Sequence, residues 1–280
     1  MNHLSAHRLP FAALVFAALV AGGCGRKADD GAEAREVVVF AAASLRDVME
    51  ALARPYEAAS GDEVFFNFAG SNVLARQIAA APGADLFLSA DEAWMDFVAE
   101  AGRVAEGSRR DLLGNRLVVV TSDPRAEPLT DPCALASLPF RYVAMGHPDG
   151  VPAGAYARAW MTARDCGGAS LWRKIEARVA PAPDVRAALG LALAEPNVIA
   201  VVYRTDLLAF ADRLRVLYEV PPEESPAIRY ALARLADAPH PEAARRFHTY
   251  LTGPEVRAIF EQYGFAPIDG APPTPNPTPP

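Results

Sequence analysis

Two serines are placed alike in this chain, and both could hold an anion. Ser44 follows the run Val37-Val38-Val39-Phe40-Ala41-Ala42-Ala43, and Ser71 follows Val64-Phe65-Phe66-Asn67-Phe68-Ala69-Gly70; a helix-like pattern comes after each. A hydroxyl at a helix start stands beside unpaired backbone N–H groups at the positive end of the helix dipole. The commoner role of such a serine is to cap its own helix. Ser44-Leu45-Arg46-Asp47 even has the form of a capping box, with Asp47 able to reach back to the N-cap amide. Two such serines, each after a strand and among Ala and Gly that let a ligand approach the backbone, shift the reading toward anion binding.

The elements that must carry these serines alternate as strand and helix, the pattern of an α/β fold with a largely parallel sheet. Strands are expected at Val37–Ala41 and Glu63–Phe68, with helices running to about Ala59 and from Asn72 to about Ala81. Asp85-Leu86-Phe87-Leu88-Ser89 reads as a third strand. The helix opening at Asp91 carries Trp94, Met95, Phe97 and Val98 at helical spacing, so Trp94 and Phe97 are expected in the core. The rhythm then breaks at Leu112 to Val120, which reads as one strand. A second series begins at Tyr142-Val143-Ala144-Met145 and runs through helices after Val151-Pro152-Ala153-Gly154 and after Asp184, to strands at Asn197–Tyr203 and Leu214–Val220. Helices at Glu242–Leu251 and Pro254–Tyr263 close the pattern. Two lobes joined by paired strands near 115–120 and 214–220 account for both breaks, with the ligand cleft at the carboxyl ends of the strands.

The termini read separately. His3 and Arg8 precede an apolar stretch from Phe11 to Val20 and the small residues Ala21-Gly22-Gly23 before Cys24. Residues 1–24 therefore read as a secretory signal, too short for a comfortable membrane span. The small residues before Cys24 resemble a bacterial lipobox, which makes Cys24 the expected lipidation site; a plain cleaved signal is the alternative. Residues 25–36 read as a polar tether, and residues 269–280 as a disordered proline-rich tail. Cys133 and Cys166 remain as an even pair in an exported protein and can close one disulfide loop of ~30 residues, with two buried thiols as the other possibility. A net charge of −7 and the lack of a basic stripe argue against nucleic acid. With five scattered histidines and no CxxC, nothing suggests a direct metal ligand set or a bound cofactor.

Taken in order, the segments VVVFAAASLRDVMEALA, FNFAGSNVLARQI, ADLFLSADEAWMDFVAEAG, LLGNRLVVV, VPAGAYAR, DVRAALGLAL and LTGPEVRAIFEQYGF resemble the periplasmic molybdate-binding proteins of bacterial ABC transporters, over about residues 36–268. The resemblance implies a two-lobed type II periplasmic binding protein fold with two hinge-crossing strands. Lobe 1 would comprise 37–117 and 221–268, and lobe 2 118–220. It also implies a site in which Ser44 and Ser71 donate through hydroxyls, Ala153 and Val185 through backbone N–H groups, and Tyr203 through its phenol. The ligand would be molybdate or tungstate. The partners would be an inner-membrane permease and its cytoplasmic ATPase, the binding protein itself being a monomer in the periplasm or otherwise outside the cytoplasm.

Local chemistry supports these positions. Pro152 has no N–H and suits a first helical turn, which leaves the amides of Ala153 and Gly154 for a ligand. Asp184 can cap the helix in whose first turn Val185 stands. Asn72 and Asp184 depart from the family pattern, and an inward Asp184 carboxylate would repel an anion. A donor-only site suits fully deprotonated dianions and offers no acceptor to hydrogen phosphate. Sulfate shares molybdate's protonation state, so a sulfate or other tetrahedral-oxyanion carrier is the alternative, with discrimination left to cavity size. Ferric binding would call for adjacent tyrosines and carboxylates. A serine hydrolase is the remote alternative: neither serine has a GxSxG setting or a neighbouring histidine motif.

Overall fold

A computed structural model describes residues 35–268. The signal segment 1–24 with Cys24, most of the tether and the tail 269–280 lie outside the described residues. Among those described, no helix is long and apolar enough to cross a membrane.

The first half opens with β1 (Arg35–Ala42), α1 (Arg46–Ser60), β2 (Asp62–Ala69), α2 (Ser71–Ala80), β3 (Leu86–Ser89), α3 (Glu92–Glu100) and β4 (Arg110–Gly114). β1 pairs in parallel with both β2 and β3. A strand with two partners and helices on both faces must be apolar throughout, which is why Val37 to Ala42 shows no alternation. Val37, Val39 and Ala41 are fully buried on the face that α1 covers, where Val48, Met49, Leu52, Ala53 and Tyr56 recur at helical spacing. On the opposite face, Leu74, Ala75 and Ile78 of α2 and Met95 and Val98 of α3 form a second cluster with Phe87.

The expected strand 112–120 is two strands. β4 ends at Gly114, and β5 (Leu117–Thr121) begins after Asn115-Arg116 in a different sheet. Asn115 Oδ1 accepts the Arg116 backbone N–H at 2.9 Å, a local bond that takes that amide out of the ladder. Both strands are apolar, so hydropathy alone could not mark the break.

The second sheet adds β6 (Tyr142–Gly146), β7 (Val179–Ala182), β8 (Val198–Tyr203) and β9 (Arg215–Glu219), in the order β7-β6-β8-β5-β9. β6 is parallel to β7 and β8, whereas β5 runs antiparallel to β8 and β9. Helices α4 (Pro152–Ala163) and α6 (Val185–Ala194) pack on β6 and β8, and the short α5 (Leu171–Ile175) packs on α4. The chain then returns: β10 (Arg229–Arg234) inserts antiparallel between β3 and β4, and α7 (Pro241–Leu251), α8 (Arg257–Gln262) and β11 (Ala266–Pro267) complete the first half. Both passages between sheets thus occur between strands, at Asn115-Arg116 and at 220–228.

Trp94 packs at the margin of the second core cluster, whereas Phe97 is not a core residue. Met95 and Val98 take the buried face of α3, Phe97 is 39% exposed, and the half-buried Trp94 donates its indole N–H to Gly150 O at 2.8 Å, across to the second half. Stripes one residue apart on a helix share nearly the same period, which left the choice between them open.

Cys133 and Cys166 are joined as a disulfide with Cα atoms 5.4 Å apart, closing a separation of 33 residues within the second half. Loop-closure entropy gives such a link ~3–4 kcal/mol. Replacing both cysteines by serine is expected to lower the melting temperature by about 10 °C in calorimetry while leaving the anion site intact.

Candidate functional site

Six parallel strand ends face one another. β1, β2 and β3 point their carboxyl ends at those of β6, β7 and β8, and the turns that follow line one cavity. Ser44, Ser71, Ala153, Val185 and Tyr203 all line it, together with small residues such as Ala43, Gly70 and Ala90. The cavity between them has a volume of about 10 Å³, room for one small group.

Neither serine caps a helix. Ser44 lies in a 3₁₀ turn, Ala43–Leu45, and Leu45 occupies the N-cap of α1 with no side-chain cap bond. The Ser44 hydroxyl instead lies 3.0 Å from Tyr230 Oη, and Asp47 turns away to Arg186. Ser71 is the first residue of α2, behind an N-cap at Gly70, and its Oγ accepts the Ala90 backbone N–H at 2.9 Å. A hydroxyl whose lone pair takes an amide has its own hydrogen to spare, so Ser71 can donate to a ligand.

The second half contributes backbone. Pro152 opens α4, and Ala153 follows it in the first turn, where N–H groups have no intrahelical acceptor. The helix start is pressed onto the end of β6: a Cβ on Gly154 would stand 1.9 Å from Gly146 O, so only glycine permits this approach. Val185 opens α6, and Asp184 caps that helix by accepting from Ala187 N at 2.9 Å. Asp184 also lines the cavity, but its Oδ1 is engaged by its own helix. Asn72 does not line the cavity; it packs between Gly70 and Gly150.

Tyr203 ends β8, is 1% exposed, and its hydroxyl has no hydrogen-bond partner in the described protein. A buried orphan hydroxyl costs ~1–3 kcal/mol, and an acceptor brought into the cavity would relieve that cost. Burial holds the phenol well above its ordinary pKa of 10, so it stays protonated.

The sequence reading missed the groups around these donors. Arg186, next to Val185, places Nη2 2.7 Å from Asp47 Oδ2 in the first half and Nε 2.7 Å from the fully buried Asp206 Oδ1. Burial pushes Asp206 up to about 6, against the pull of Arg186, and its other oxygen accepts from Tyr203 N at 3.1 Å. Arg186 is thus flanked by two carboxylates. Asn115 and Tyr230 were missed as well, although a polar residue inside LLGNRLVVV and an apolar run inside RYALAR were visible signals. Among the described residues, no group of three or more His, Cys, Asp or Glu side chains could hold a metal ion.

Fold and cleft together define a solute-binding protein: residues 37–266 match the bacterial extracellular solute-binding protein family, to which this chain belongs. It is 35% identical over 260 residues to the molybdate-binding protein ModA of Escherichia coli (strain K12), spanning 91% of this chain and 95% of that protein. It is 31% identical over 258 residues, 91% and 96% of the two chains, to the putative ABC transporter substrate-binding lipoprotein YvgL of Bacillus subtilis (strain 168). The solved periplasmic molybdate-binding protein of Azotobacter vinelandii superposes with a TM-score of 0.72 at 20% identity, covering 82% of this chain and 98% of that one, a likeness of fold.

Tyr203→Phe is expected to weaken binding of a dianionic oxyanion by ~1–3 kcal/mol in titration calorimetry, while the melting temperature of the anion-free protein holds or rises, because the hydroxyl makes no internal bond and its burial is a cost. Ser71→Ala differs: it removes a donor and strips the Ala90 N–H of its acceptor, so affinity and stability should fall together. Because Tyr203 stays protonated, its own contribution to anion affinity should not change from pH 7 to pH 9; a fall through that range in wild type but not in Tyr203→Phe would refute the assignment.

Proposed function

We propose that this protein captures molybdate and tungstate outside the cytoplasm and delivers them to the permease of an ABC importer, whose cytoplasmic ATPase drives uptake. The two lobes, 37–117 with 221–268 and 118–220, close on the anion as a monomer, and lipidated Cys24 tethers it to the membrane. Similarity to the Escherichia coli and Bacillus subtilis proteins supports the ligand class and the lipid anchor respectively. The protein binds and releases its ligand unchanged and performs no catalysis.

The observation that carries this reading is the buried Tyr203 hydroxyl without an internal partner, in one cavity with two serines and two helix starts. Molybdate at neutral pH is a dianion whose every oxygen accepts. The donors of Ser44, Ser71, Ala153, Val185 and Tyr203 match it, and the cavity-lining Asp184 is held by Oδ1 to its own helix start, which leaves hydrogen phosphate at most its other oxygen as a charged acceptor. Sulfate is smaller and would leave donors unpaired at ~1–3 kcal/mol each.

Titration calorimetry of the purified protein with molybdate, tungstate, sulfate and phosphate tests the proposal. Tight binding of the first two, with sulfate weaker by a hundredfold or thereabouts, is the expected result, each lost donor counting for roughly tenfold. Equal affinity for sulfate would make the protein a sulfur-oxyanion carrier, and silence from all four would remove the oxyanion role.

A further inference from the structure

The hydroxyl of Ser44 can in principle donate or accept, and which it does decides what the cavity can hold. The answer starts at the passage between the two sheets. Asn115 Oδ1 accepts the Arg116 backbone N–H at 2.9 Å, a group that can only donate, so the orientation of the amide is fixed. Its Nδ2 therefore faces Thr205 Oγ1 at 2.9 Å and Tyr230 Oη at 3.1 Å, with one hydrogen for each. Tyr230 is 1% exposed and has a single hydroxyl hydrogen. With Asn115 donating to it, Ser44 Oγ, 3.0 Å away, is the acceptor to which that hydrogen can go. Ser44 then accepts from Tyr230 and has its own hydrogen left for the cavity.

We infer that Asn115 and Tyr230 are positioning residues that fix the Ser44 hydroxyl as a donor and thereby exclude oxyanions that carry a proton at that position. The head of the chain cannot reverse, because it begins at a backbone N–H, and Asn115 donating to Tyr230 biases the last link the same way. Ser71 obeys the same rule by a shorter route, since its Oγ accepts directly from the Ala90 backbone N–H. Both serines of the cavity are thus locked as donors by a main-chain amide, one directly and one through two side chains. A serine without such support turns freely and can accept from a protonated oxyanion. The inference rests on the reading of the cavity as an oxyanion site, but the polarity of the chain stands on the protein's own groups.

Two measurements separate these claims. Neutron diffraction from deuterated crystals of the wild-type protein should find deuterium on Tyr230 Oη pointing at Ser44 Oγ; deuterium on Ser44 pointing at Tyr230 overturns the inference whatever the ligand. The second measurement uses selenate and hydrogen arsenate, dianions of similar size that differ by one proton, as competitors in titration calorimetry. Asn115→Asp offers acceptors where the amide donated, so Tyr230 turns to it and Ser44 presents lone pairs to the cavity. The added charge repels both dianions alike, and their affinity ratio reports the proton. The wild-type preference for selenate should narrow by about tenfold in Asn115→Asp and by less in Asn115→Leu and Tyr230→Phe. An unchanged ratio in a folded Asn115→Asp protein, judged by its melting temperature, overturns the inference. If neither anion binds the wild type while the neutron result holds, the oxyanion reading fails and the polarity assignment survives.

Discussion

Taking a doubly charged ion out of water without a countercharge is possible only if donors replace the whole hydration shell, and that demand shapes the molecule. Partial charges must do what a lysine or arginine would otherwise do, so they must arrive from several directions at once. A single helix start supplies too few. The fold answers by aiming the carboxyl ends of two parallel sheets at one point, so that turns after β1, β2, β6 and β7 and the end of β8 all open on one cavity. The small residues around it follow from the same demand, because a side chain on Gly154 would hold α4 away from β6.

The charged groups nearby are arranged to leave that balance undisturbed. Arg186 adjoins Val185 and would otherwise attract any anion indiscriminately. Held between Asp47 and the buried Asp206, it links the two halves and its positive charge is met by two carboxylates. Trp94 makes a second link to Gly150, and Asn115 a third to Thr205. Selectivity is then left to hydrogen-bond direction and cavity size, the two properties in which tetrahedral oxyanions differ.

How much of this could be read from the chain depended on where the signal lay. Ser44 and Ser71 announced themselves because a strand, small residues and a hydroxyl follow one another locally. Ala153 and Val185 would act through the backbone, so their side chains carry no sign of it; only Pro152, Asp184 and the family resemblance pointed there. The capping box at Ser44 was a false local signal, overridden by a tertiary bond to Tyr230, 186 residues away. Such a pairing exists only once β10 is inserted beside β3, which no local pattern records. Hydropathy likewise merged β4 with β5, since neither strand changes character when the chain changes sheets, and it could not choose between neighbouring stripes on α3.

The insertion of β10 has a consequence for how the chain comes to be folded. β5 to β9 are contiguous in sequence, whereas the first sheet is interrupted: β10 lies between β3 and β4 yet is encoded after the entire second half. Pairings of such long range form late, because a large loop must close before they repay its entropy. Tyr230 travels on that strand, so the Ser44 hydroxyl acquires its orientation only when the last quarter of the chain has docked. Selective binding therefore reports a complete polypeptide, and a chain truncated during synthesis or export would carry both serines without the order that makes them selective.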